Sequence, residues 1–111
     1  MNKIKVCNNI FVDKIYCINL KKDIDRKEIM TSLFKKFNIL DKITWFNAIY
    51  NEKGNIGCRE SHIRIIKEAY ENNYQAILIF EDDATLVEFP FKLQNNIPDD
   101  WCMIYPGWLD V

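Results

Sequence analysis

Apolar positions along this chain change period several times, and each change marks an element. From Val12 to Leu20, β-branched and aromatic residues read as a short strand. Lys14, Tyr16, Ile18 and Leu20 lie on one face of it, and Asp13, Ile15, Cys17 and Asn19 on the other. Both faces are largely apolar from Ile15 onward, the mark of a strand covered on two sides in a parallel sheet. Between Ile24 and Phe37, the residues Ile24, Ile29, Met30, Leu33, Phe34 and Phe37 recur at helical spacing, and Asp23 stands where an N-cap is wanted. Ile43 to Tyr50 reads as a second strand, followed by the loop chemistry of Asn51-Glu52-Lys53-Gly54-Asn55. A second helix is expected from about Cys58 to Asn73, with Ile63, Ile66 and Tyr70 as its buried stripe. Ala76 to Phe80 is a continuous apolar run of strand length that ends in Glu81-Asp82-Asp83. Beyond Pro90 a short segment to Pro98 reads as one or two helical turns. Trp101 to Tyr105 then resumes a strand pattern, and Pro106-Gly107 breaks it.

The order β-α-β-α-β-(α)-β predicts an α/β fold: a Rossmann-like parallel sheet flanked by helices through right-handed crossovers. At 111 residues and 49% hydrophobic content the chain suits a single domain over residues 1–111 with a real core. Its 15 basic and 16 acidic side chains leave a net charge of −1, which excludes the basic stripe of a nucleic-acid binder. The longest apolar run has five residues, against the roughly 20 of a membrane helix. Asp13 and Lys14 interrupt Ile10-Phe11-Val12 before it could serve as a signal-peptide core, so the written chain is expected to be mature, soluble and cytoplasmic. Cys7, Cys17, Cys58 and Cys102 show no zinc-ribbon spacing, and free thiols are expected.

Ligands of open parallel sheets bind beyond the carboxyl ends of the strands. The acidic triplet lies at such an end. Alternation would send Glu81 and Asp83 to one side and Asp82 to the other. Two converging carboxylates suit a hard divalent cation, Mn2+ or Mg2+; the plainer reading is a solvated acidic turn. The second constellation runs from Gly54 to His62. Gly57 permits close backbone approach to a ligand, and the helix start offers free N–H groups to phosphate. Ser61 lies one turn beyond Gly57, and His62, the single histidine, one turn beyond Cys58. The plainer readings are a tight turn and a structural hydrogen bonder. The third constellation is Asn19 at a strand end, with Arg26 in the following helical turn. These two can meet a base, ribose or phosphate, or Arg26 can pair with a nearby surface acid.

Taken in order, these segments resemble glycosyltransferase family 25, the bacterial lipooligosaccharide galactosyltransferases and the collagen galactosyltransferases. Ile15 to Leu20 with Arg26 resembles the family's opening strand and helix, and Phe46-Asn47-Ala48-Ile49 its second strand. Gly54-x-Ile56-Gly57-Cys58-x-x-Ser61-His62 resembles its most distinctive block, Ala76 to Asp83 its acidic signature, and Trp101 to Tyr105 with Gly107 its next strand. The resemblance implies a nucleotide-diphosphosugar transferase (GT-A type) fold and transfer of a sugar, usually galactose from UDP-galactose, to a glycan or protein acceptor with inversion. It implies metal binding by Asp83 and Glu81, and donor contacts from Asn19, Arg26, Gly57, Ser61, His62 and Asp82. Asn55 and the pair Arg59-Glu60 depart from the family pattern. The resemblance covers the donor-binding half of a typical member, so the acceptor loops and the general base of an inverting transfer are expected from elsewhere, such as a partner chain or a second copy. The alternative is a truncated, non-catalytic UDP-sugar-binding domain, or a relic that needs a partner chain.

Overall fold

The computed structural model describes residues 3–7, 10–84 and 88–90. The expected helical turn after Pro90 and the strand from Trp101 to Tyr105 lie outside them. A hairpin of β1 (Ile4–Cys7) and β2 (Ile10–Val12) comes first. Then follow β3 (Lys14–Asn19), α1 (Ile24–Lys36), a 3-10 turn over Leu40–Lys42, β4 (Ile43–Asn47), α2 (Gly54–Glu71) and β5 (Ile77–Glu81). The small α/β unit is built on a three-stranded parallel sheet in the order β4-β3-β5. Register runs from Ile15↔Ile43 to Asn19↔Asn47 on one side, and from Lys14↔Ile77 to Ile18↔Glu81 on the other.

Residues 15–19 of the central strand are all buried. Their alternation divides the core in two. Ile15 and Cys17 pack with Met30 and Phe34 of α1, and with Leu78 and Phe80 of β5. The Phe34 ring meets Trp45 edge-on at 5.9 Å and Phe80 at 5.4 Å between centroids. Tyr16 and Ile18 face the other way, onto Ile65 of α2. The Tyr16 hydroxyl donates to Glu68 Oε2 at 2.5 Å. Burial, and after it the Glu68 carboxylate, hold that phenol well above its ordinary range.

Several expectations change, among them the second strand, which stops at Asn47, short of Tyr50. The hairpin takes Val12 out of the central strand, because Asp13 stands between them. Its N–H donates to the Ala76 carbonyl at 2.8 Å, and its carboxylate accepts from the amides of Gln75 (2.7 Å) and Ala76 (3.2 Å). Asp23 occupies the N-cap position of α1 but its side chain caps nothing; its backbone carbonyl is what the fold uses. The stripe on α2 is also different. Ile63, Ile66 and Tyr70 are exposed, and the buried positions are Gly57, Ser61, Ile65 and Ala69, each four residues from the last. Small residues let the start of the helix lie close to the segment after β4, so its inner face carries less apolar bulk than the exposed stripe of Ile63, Ile66 and Tyr70.

Both helices end in the same way. Asn38 and Asn73 take positive φ (60° and 59°). After α1, Ile39 N–H donates to the Phe34 carbonyl and Asn38 N–H to that of Lys35; after α2, Tyr74 donates to Ala69 and Asn73 to Tyr70. These are Schellman returns, with asparagine in the left-handed position usually filled by glycine.

Phe34→Ala is expected to cost about 3–5 kcal/mol, read as a lower urea midpoint at unchanged slope. A loss below about 1 kcal/mol would show that the ring is not the centre of this face.

Candidate functional site

Strand order reverses at β3. From it α1 leads to the neighbour on one side, and α2 then carries the chain past it to the neighbour on the other. The carboxyl ends of β3 and β5 therefore form the topological switch point, where such sheets leave a crevice. The residues singled out by sequence meet there in two groups, one on each face of the sheet.

On the α1 face, Asn19 ends β3 and is buried. Its Nδ2 donates to Asp82 Oδ2 at 2.9 Å and to the Asp23 carbonyl at 3.2 Å. Arg26, one turn into α1, brings Nη1 to within 3.5 Å of Asp82 Oδ1. The Asp82 side chain is 13% exposed and that of Arg26 57%. At that distance the pair is mainly Coulombic, and with its cation in solvent it is worth little by itself. The shorter bond from Asn19 is the tie that joins the two strand ends. Arg26 thus does pair with an acid, and the acid belongs to the signature itself. Burial, with the Asp82 charge next, pushes the nearby Cys17 thiol up to about 12.

The α2 face holds the other group. The helix begins at Gly54, a turn earlier than its apolar pattern suggests, so Gly57 lies within its first turn rather than before it. The Gly57 N–H donates to the Lys53 carbonyl at 3.3 Å. A Cβ at Gly57 would sit 2.5 Å from the Ile49 carbonyl oxygen. The close backbone approach expected at this glycine is made by the chain's own segment after β4. Ser61 is fully buried beside it: the hydroxyl donates to the Gly57 carbonyl at 3.0 Å and accepts from the Ile49 N–H at 2.9 Å. With both roles filled, Ser61 fixes α2 against the exit of β4 and offers no hydroxyl proton to a ligand.

The chain turns immediately after β5, closed by Ala84 N–H donating to the Glu81 carbonyl at 3.1 Å. Strand alternation ends at Glu81, so the spacing of Glu81 and Asp83 is governed by a turn and not by the pleat expected from sequence. Both are exposed. Cys58 Sγ lies 2.8 Å from Glu81 Oε1, donating to it. His62 Nδ1 lies 2.8 Å from the Cys58 carbonyl oxygen and 3.7 Å from Cys58 Sγ. Burial, then the bond to Glu81 and the charges of Glu81 and Asp83, push the Cys58 thiol up to about 11. Cys58 is the site residue that sequence reasoning passed over. Its helical spacing to His62 was visible, but the contact with Glu81, 23 residues on, was not. An open depression along α1, lined by Lys21, Ile24, Lys27, Glu28, Thr31 and Ser32, contains no residue of either group.

A profile of glycosyltransferase family 25 (LPS biosynthesis protein) matches residues 52–108, which span α2, β5 and the acidic signature. The chain belongs to glycosyltransferase family 25. Among curated relatives within reach of this family 25 chain, procollagen galactosyltransferase 1-A of Xenopus laevis is 28% identical over 93% of the chain and 22% of its own length. Procollagen galactosyltransferase 2 of Homo sapiens is 30% identical over 81% of the chain and 16% of its own length. The chain spans about a fifth of the length of the curated relatives it matches. No solved structure matches it. No helix among the described residues is long and apolar enough to cross a membrane.

Gly57→Ala is expected to lower stability by about 1–3 kcal/mol despite alanine's better helix propensity, because the obstacle is backbone; an unchanged urea midpoint would refute the close contact. Cys58 should alkylate slowly at pH 8, its rate rising with pH toward about 11 as thiolate forms. Glu81→Gln removes a charge that favours the protonated thiol and should speed labelling of the Cys58 peptide, measured by mass spectrometry. Equal rates in the two proteins would show that the Glu81 contact is absent in solution.

Proposed function

We propose that this chain is the donor-binding part of a glycosyltransferase that transfers galactose from UDP-galactose to a glycan or protein acceptor. The observation that carries this reading is the meeting of Asn19, Arg26 and Asp82 at the switch point, in a chain that belongs to family 25. The family description and the relatives' names support the reaction class: one refers to lipopolysaccharide biosynthesis, and the others are galactosyltransferases.

Departure of a nucleoside diphosphate builds negative charge that must be balanced. Glu81 and Asp83 fit the role of holding Mn2+ or Mg2+: both are exposed oxygen donors, and among the described residues neither is in an ion pair. Asp82 is already held by Arg26 and Asn19, which leaves the hard cation to its two neighbours. When bound, that ion would supply positive charge beside the diphosphate. In this reading Asn19 and Asp82 set the nucleotide and ribose side of the crevice. Arg26 has most of its guanidinium free to meet phosphate. His62, half-buried on α2, borders the donor from the other face. Gly57 and Ser61 act one step back, holding α2 where His62 and the helix start can reach the crevice.

A second reading follows from the chain spanning about a fifth of its relatives' length. In it the chain binds UDP-sugar without turnover, and a partner chain or a second copy brings the acceptor side. UDP with Mn2+ at about 100 times its dissociation constant should add about 2.7 kcal/mol of stability, a rise in Tm of several degrees. Asp83→Asn should abolish the rise. No shift in the unmutated protein would sink both readings. UDP released from UDP-galactose, and lost in Asp83→Asn, would favour the enzyme; a thermal shift without release would favour the binding unit.

A further inference from the structure

Where α2 passes the end of β5, Cys58, His62 and Glu81 bring a thiol, an imidazole and a carboxylate together, with one ligand atom from each within 4.8 Å of the others. Cys58 and His62 are four residues apart on one helix face, and Glu81 reaches them from the strand end. The Cys58 carbonyl oxygen lies 2.8 Å from His62 Nδ1, where it accepts the ring N–H. The nitrogen that faces the thiol is that same Nδ1, 3.7 Å from Cys58 Sγ, so ligation through it replaces the bond to the carbonyl, with the ring proton then on Nε2. None of the three is in an ion pair among the described residues, and Cys58 and Glu81 are exposed, so an ion can enter from solvent.

We propose that Cys58, His62 and Glu81 form a three-ligand site for a thiophilic divalent cation of the zinc type, with its fourth position open. A sulfur, nitrogen and oxygen set is a poor host for magnesium or manganese and a good one for zinc. On binding, the metal–sulfur bond forms as the S–H bond breaks, and the proton now shared with Glu81 passes to solvent. The site requires no sugar nucleotide and does not use Asp83. Glu81 is common to this site and to the hard-cation role proposed above, so a thiophilic ion bound on the α2 side withdraws that carboxylate from the crevice.

Cobalt(II), titrated under anaerobic, phosphine-reduced conditions, tests this without any activity assay. The unmutated chain should give a near-ultraviolet thiolate-to-cobalt charge-transfer band with the visible absorption of a four-coordinate centre. Zinc should bleach both, and a large excess of magnesium should not. Cys58→Ser should lose the charge-transfer band, and His62→Ala should weaken binding by roughly tenfold or more. Asp83→Asn should keep the full spectrum. Absence of the band in the unmutated chain, its survival in Cys58→Ser, or its loss in Asp83→Asn would overturn the proposal. Because Asp83→Asn removes the UDP-dependent thermal shift but not the cobalt spectrum, either reading can fail without the other.

Discussion

A strand whose side chains are out of water on both faces and whose backbone is paired along both edges constrains everything around it, and β3 is such a strand. It needs a cover on each face, so α1 must cross one and α2 the other. It needs a neighbour on each side, and the chain can supply these only by moving outward from β3 and then returning past it. Reversal of strand order at β3 is the consequence, and with it a crevice at the carboxyl ends of β3 and β5. The site is thus a by-product of how the core is closed. Even the makeup of α2 follows: Ile65 packs onto Tyr16 and Ile18, while Gly57 and Ser61 let the start of the helix lie against the segment after β4.

Three consecutive acids in one place would repel one another in the absence of compensation. The fold separates them instead. Asp82 turns to the α1 side, where an amide and a guanidinium meet its two oxygens. Glu81 stays with the α2 side and takes the Cys58 thiol proton in a hydrogen bond. Asp83 is left in solvent. Each carboxylate therefore has a different environment, and chemically they are three different groups despite standing side by side in sequence.

Much of this was legible beforehand, for physical reasons. The doubly apolar run after Ile15, the helical spacing up to Phe37 and the run ending at Phe80 each identify an element because burial on a known period leaves few alternatives. The hairpin was hidden because strands of four and three residues carry little periodic signal, and Val12 fits either side of Asp13. On α2, a search for apolar bulk selects Ile63, Ile66 and Tyr70, whereas close packing against the segment after β4 selects for smallness. Conversely, Ser61 and Gly57 caught attention as ligand contacts because a buried hydroxyl and a close backbone approach look the same in sequence whether the partner is a ligand or Ile49. The contacts Arg26–Asp82 and Cys58–Glu81 bridge elements that only the assembled sheet brings together.

The paired Schellman returns have a consequence for how such a chain can change. At the lower rim of the sheet, α1 and α2 are each turned back within two residues by left-handed asparagines. An insertion there would break two backbone bonds and shift the strand that follows. The described segments at the opposite rim, after β3, β4 and β5, lie outside the ladders and are held by single turn bonds (Asp23 N–H to the Leu20 carbonyl, Ala84 N–H to the Glu81 carbonyl) and by Ser61 on Ile49, not by paired helix returns. Length variation is therefore channelled to one edge of the molecule, the edge that carries Asn19, Glu81 and Asp82. New loops can accumulate around the crevice, and new specificities with them, while the frame beneath keeps its register.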